Sequence, residues 1–368
     1  MKEIINRLSH PKIFVFSVIW LMVLTVLGTI AQRSIGLYAS QEKYFSSYFV
    51  WIGNIFPFPG GRIIIAIMLI NLISSLFKNN LWKLKKVGII IIHLGAVLLF
   101  VGSGITAVFS YEGNMVIDEG GSSSFISDYH DMELAIVNTS NKFIDEYIVF
   151  DQVLLENGNT LSHEGLDFDI EIIDFYKNCT IKRRTESPIE ENKGMMKNFD
   201  FIKLKMEKEH TQNRSGLKYM INNAGANVDG IYGLILGQPI IQKATINNKD
   251  FEFLFRKKRT YLPFSIQLLD FKKVLHPGTE IAKSFSSEIN LIENGIPRRV
   301  LIQMNEPLRH RGYTFFQSSF IEAPDGESTV LAIVKNYGRL FPYISSIIMA
   351  IGLLVHLFIN IPDLLRKK

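Results

Sequence analysis

The stretch that decides the architecture is Val87-Gly-Ile-Ile-Ile-Ile-His-Leu-Gly-Ala-Val-Leu-Leu-Phe-Val-Gly-Ser-Gly-Ile-Thr-Ala-Val-Phe109. Its only ionisable side chain is His93, and at helical rise it measures about 35 Å, enough to cross a hydrocarbon core of about 30 Å. Three further runs have this character: Ile13 to Ile30, Ile63 to Phe77 and Leu340 to Ile361. The second of these is short, about 22 Å by the same rise. It is expected to thin the bilayer or lean on Trp82 and snorkelling lysines. Four transmembrane helices follow, and the chain divides into 1–109 (spans 13–30, 63–77 and 87–109), an outer domain 110–339, and 340–368 with the fourth span and a basic tail.

Orientation follows from lysine and arginine, which resist translocation. Lys2, Arg7 and Lys12 precede the first span, Lys78, Lys83, Lys85 and Lys86 fill the second connection, and Arg366, Lys367 and Lys368 end the chain. These segments are expected in the cytoplasm. Only Arg33, Lys43 and Arg62 dot the first loop, so that loop and 110–339 belong outside. The first run is long for a cleaved leader, and Ala31-Gln32-Arg33 is a poor cleavage site, so an uncleaved anchor is expected.

Composition agrees. The 368 residues are 47% apolar and 20% charged, with net charge +5 from 40 basic and 35 acidic residues. Basic clusters flank the apolar runs instead of forming a stripe, which argues against nucleic acid as a partner. Cys179 stands alone, so the chain cannot build an intramolecular disulfide or a CxxC pair.

Between 110 and 339 the apolar residues alternate, as in Asp167-Phe168-Asp169-Ile170-Glu171-Ile172 and Asp250-Phe251-Glu252-Phe253. Period two means strands with one buried face. Glu293-Asn294-Gly295 and Pro324-Asp325-Gly326 carry turn chemistry. The expectation is an antiparallel β-sandwich-like domain. Leu166 to Phe175 and Leu262 to Phe271 share an apolar pattern and a closing Asp-Phe, as a duplicated β unit would.

Two histidines lie inside spans, His93 in the third and His356 in the fourth. An ionisable group at that depth usually faces a cavity, a partner or a cofactor. Gly88, Gly95 and Gly102 form a small-residue stripe on which another helix can pack closely. His93 sits off that stripe, aligned with Val97, Phe100 and Gly104. Gly352 lies one turn from His356 and leaves room over its ring. Neutral imidazole is a strong axial ligand for haem iron. The alternative is hydrogen bonding to a neighbouring helix, with Asn71, Ser74 and Ser75 as candidate partners. The outer histidines, His130, His163, His210, His276 and His310, read as solvated. No GxSxG, HExxH or phosphate loop is present, so the chain does not advertise a catalytic centre of its own.

Several stretches resemble the ResB family: Leu27-Gly28-Thr29-Ile30-Ala31-Gln32, His93-Leu94-Gly95, Ser110-Tyr111-Glu112-Gly113, His276-Pro277-Gly278-Thr279, Phe285-Ser286-Ser287, Met304-Asn305-Glu306-Pro307-Leu308, and Gly312 to Ser319. The resemblance implies a multi-pass protein of the bacterial inner (cytoplasmic) membrane with both termini cytoplasmic. It implies a subunit of the system II cytochrome c synthase, acting with a ResC/CcsA-type partner to bind or deliver haem b and to hold a CxxCH apocytochrome c for attachment. Thiol-reducing proteins would act alongside. His93 matches the family's histidine in the third span, the proposed haem ligand, whereas His356 enters on depth alone. Gln32, Pro307, Tyr313 and Gln317 are candidate partner-contact residues. Two other readings stay open: an anchored outer binding or scaffold module that does not touch haem, and a small-molecule transporter.

Overall fold

The structure, a computed structural model, describes residues 2–52, 55–78, 83–185, 189–323 and 326–365. Trp82, the Pro324-Asp325 turn and the basic residues 366–368 lie outside the described residues. The chain forms two compact units: Met1–Tyr111 with Lys335–Lys368, and Glu112–Val334.

The first unit is helical, comprising α1 (Lys2–Leu8), α2 (Pro11–Ile35), α3 (Leu37–Tyr44), α4 (Gly61–Leu76), α5 (Val87–Phe109) and α6 (Phe341–Leu365). Pro11 starts α2, where its missing N–H costs nothing. The helix stops at Gly36, whose φ of 81° lets its N–H cap the carbonyl of Gln32. Among the described residues, three segments are long and apolar enough to cross a membrane: Pro11–Ile35, Leu84–Phe109 and Phe341–Ile361. The chain is therefore a membrane protein. With 16 residues, or about 24 Å at helical rise, α4 falls short of that length, so a fourth crossing does not follow from the helix alone.

The first loop packs along α2. α3 turns back on α2, with Ser40 Oγ donating to the Gly28 carbonyl at 2.7 Å. A hairpin of Phe49–Ile52 and Phe56–Pro59 follows. It reaches down to the middle of α2, where Trp20 Nε1 donates to the Pro59 carbonyl at 2.8 Å and Trp20 stacks on Phe58.

The second unit is built on antiparallel strands, and its spine is longer than periodicity suggested. The stretches around Phe251 and Phe264 are two ends of one 27-residue strand, Lys249–Leu275. The intervening Leu-Phe-Arg-Lys-Lys-Arg-Thr-Tyr has no turn chemistry, and a register shift between Tyr261 and Ile266 absorbs Pro263. This strand pairs with the 17-residue Ser122–Asn138. Both run through a ten-stranded sheet, while a four-stranded sheet contains Gly230–Ile235, Gly216–Asn222, Asp169–Tyr176 and Thr160–Leu161. Phe251, Phe253, Leu134 and Ile136 share one core with Ile170, Ile172, Leu217 and Tyr219 of the smaller sheet. The domain is thus not one simple sandwich, because the large sheet extends beyond this shared core.

The repeated pattern falls in different sheets with the same alternation. Phe168, Ile170 and Ile172 are buried in one copy, and Phe264, Ile266 and Leu268 in the other. Asn294 and Gly295, at φ 50° and 77°, make the tight hairpin expected of that dipeptide. Glu133 is buried beneath Arg256, 2.8 Å from its Nε, and also accepts from the Arg259 N–H.

The glycine stripe of α5 lies on α6. A Cβ on Gly88 would come within 2.6 Å of the Gly352 carbonyl oxygen and of His356 Cα, and one on Gly95 within 2.6 Å of Met349 Cγ. Gly88→Val is expected to force the helices apart and destabilise the detergent-solubilised protein by about 1–3 kcal/mol, the usual cost of overpacking. A thermal melt would show this, whereas Gly104→Ala, which meets nothing within 4 Å, should leave the melt unchanged.

Candidate functional site

With α6 covering the glycine face of α5, His93 is left on the flank. It is half-buried, and its Nδ1 lies 2.8 Å from the carbonyl of Ile89, one turn back. A carbonyl only accepts, so Nδ1 carries the hydrogen and Nε2 keeps its lone pair. Nε2 has no hydrogen-bond partner among the described residues. An imidazole oriented through Nδ1–H to a backbone carbonyl is the usual arrangement of a metal-binding histidine. Toward the far end of α5 on this flank, Gly104 opens onto free space.

His356 is arranged the opposite way. The amide nitrogen of Asn360 donates to the His356 carbonyl at 2.7 Å and lies 3.2 Å from its Nδ1. The carbonyl bond fixes the amide orientation, so Nδ1 is the acceptor and Nε2 bears the hydrogen. The room expected over its ring from Gly352 is taken by α5, since a Cβ there would meet the Ile92 N at 2.8 Å. His356 is level with Gly88, five residues from His93, which is about 7.5 Å along the axis and 140° around it. No hydrogen bond or ring contact joins the two histidines among the described residues.

The polar groups of α4 meet neither histidine. Asn71 donates to the carbonyls of Leu8 and His10 and ties α1 to α4, while Ser75 bonds back to the Asn71 carbonyl. Gln32 is half-buried at the C-terminal end of α2. In the β unit, Gln317 is buried and accepts from Ser287 Oγ at 2.6 Å while donating to Thr329 Oγ1 at 2.9 Å. Tyr313 is also buried, and Pro307 is half-buried. Pro307 and Gln317 line a cavity of about 370 Å³ with Met304, Asn305, Arg309 and Phe316. Cys179 is buried, and burial pushes its thiol up to about 11, well away from the reactive thiolate range.

Not all outer histidines are solvated. His130 and His210 meet edge to face, with their Nδ1 atoms 3.3 Å apart. His310 packs edge-on against Phe264 beside Glu293. Eighty residues separate His130 from His210, so no local spacing could reveal the pair.

Residues 224–330 match a family model described as the ResB-like family. Over that stretch the chain is similar to the ResB-like family. This match covers the ResB-like motifs from His276 to Ser319, and the segments carrying His93 and Gln32 fall outside it. Protein NrfI of Wolinella succinogenes is 22% identical over 302 residues, which is 80% of this chain and 30% of NrfI. The chain therefore spans less than a third of that curated relative.

The histidine pair is expected to make the β unit pH-sensitive. Burial, then the charges of His130 and Lys257, hold the His210 pKa below its ordinary 6.5. Asp128 and Asp131 face the same Lys257. Above about 6.5 the folded and unfolded chains both keep His210 neutral, and below it the unfolded chain takes up its proton first. Stability is therefore fully present above that value and declines as the pH falls towards the folded pKa. Melting temperatures between about pH 7.5 and 5 should fall with acidification, and His210→Gln should flatten that slope.

Proposed function

We propose that this chain is the ResB-type subunit of a system II cytochrome c synthase, in which His93 supplies an axial nitrogen to haem b in transit through the membrane. The observation that carries this reading is the hydrogen bond from Nδ1 to Ile89, which leaves the Nε2 lone pair directed away from the helix backbone and unpartnered among the described residues. The match of residues 224–330 to the ResB-like family model supports the cytochrome c biogenesis role.

Haem is cargo in this reading, and the chain's own residues bind and orient it. The Ile89 carbonyl raises the basicity of the imidazole and fixes its plane. The second axial nitrogen comes from a ResC/CcsA-type membrane partner. His356 would have to give up its bond from Asn360 and reach around α5 to serve. The β unit lies outside the bacterial inner membrane and holds the CxxCH apocytochrome, with Gln32 and Pro307 in partner contact and the buried Tyr313 and Gln317 supporting the strands beneath Pro307 from within. Both termini are cytoplasmic, α4 makes a short fourth crossing, and thiol-reducing proteins keep the apocytochrome reactive.

The purified complex with its partner should show a Soret band that falls several-fold in His93→Ala and returns on adding imidazole. His356→Ala should retain it. A His93→Ala complex with an unchanged spectrum and full cytochrome c output would overturn the ligation, leaving an anchored scaffold as the better reading.

A further inference from the structure

We infer that Arg62 is the anchor for the carboxylates of the transported porphyrin, with the aromatic face of the hairpin beside it as the surface for its flat apolar body. This rests on the haem reading above and adds a binding residue to it.

Arg62 opens α4, and its depth follows from its neighbours. A Cβ on the adjacent Gly61 would lie 2.6 Å from the Phe45 carbonyl oxygen, and the Phe45 ring in turn closes on Gly28 of α2. Pro59, three residues before Arg62, is bonded to Trp20. Trp20 and Gly28 stand about 14 and 26 Å along a helix about 37 Å long, so this guanidinium is rooted within hydrocarbon depth and not at either end of the span. The side chain is exposed and lies over the Tyr48 ring, 5.5 Å from its centroid. It has no carboxylate or hydrogen-bond partner among the described residues. A cation at such depth marks a cavity, a pathway or a partner of opposite charge, and one aromatic ring offsets only part of its desolvation.

The surroundings narrow the anion. Tyr48, Phe49 and Trp51 are 61%, 53% and 53% exposed. Phe49 and Trp51, two apart in a strand, share one face, while Val50 is buried and Phe58 packs on Trp20. The ligand that suits a planar fork beside two exposed aromatic rings is itself flat, apolar and carboxylate-bearing. Along the axis, Arg62 lies 14 residues from Leu76 and His93 six from Val87, so their levels differ by about 12 Å measured from the α4–α5 connection. That separation is comparable with the reach from the iron of a porphyrin to its propionates. A phospholipid phosphate is the other anion within reach, and it has no need of the aromatic face.

The test titrates the full chain, purified with its ResC/CcsA-type partner in dodecyl maltoside, with haem b and separately with haem b dimethyl ester, which lacks free carboxylates. Arg62→Gln should weaken haem b binding about tenfold and Arg62→Lys by less, as charge-assisted pairs behave. The dimethyl ester should bind wild type and Arg62→Gln alike. Equal weakening of both porphyrins would assign Arg62 to the fold or to lipid phosphate, and no weakening of either would remove it from the site. Both results overturn the inference while leaving the His93 spectrum intact. Absence of any specific Soret shift in wild type would sink the parent reading together with this one.

Discussion

The membrane unit depends on two backbones meeting without side chains between them. Gly88 and Gly352 face each other across α5 and α6, and each is where a Cβ would collide with the other helix. In lipid no hydrophobic force draws apolar helices together, so this close fit and its dispersion contacts hold the seam. The seam also sorts the histidines. His356 is bound into it through its own backbone, while His93, 140° from Gly88, is left at the side with one nitrogen satisfied and the other available.

The same seam gives the two imidazoles opposite tautomers from one local rule. Each bonds within its own helix, but the first partner is a carbonyl, which demands a hydrogen, and the second is an amide N–H, which demands a lone pair. Two residues of one type in neighbouring helices are thereby chemically inequivalent.

Much of this was legible in the sequence because periodicity is local. The long spans, the α5 glycine stripe and the Asn294-Gly295 turn are found where residue spacing places them. Other features depend on distant partners. The joining of Phe251 and Phe264 into one strand is set by pairing with Ser122–Asn138, and the His130–His210 contact by packing across eighty residues. The packing of the first loop was not legible because Trp20 and Gly28, far upstream, fix that segment along α2. The tautomers were legible only in part: Asn360 sits four residues after His356 in the sequence, but which atoms meet is a matter of rotamers.

The seam between α5 and α6 has an implication for biosynthesis. The whole β unit lies between the two helices in the chain, and its spine pairs Ser122–Asn138 with Lys249–Leu275. As the ribosome works from the first residue onward, α5 enters the bilayer long before its mate exists. During that interval the glycine ridge of α5 lacks the helix that covers it, and α6, made after the β unit, is the one that shuts it.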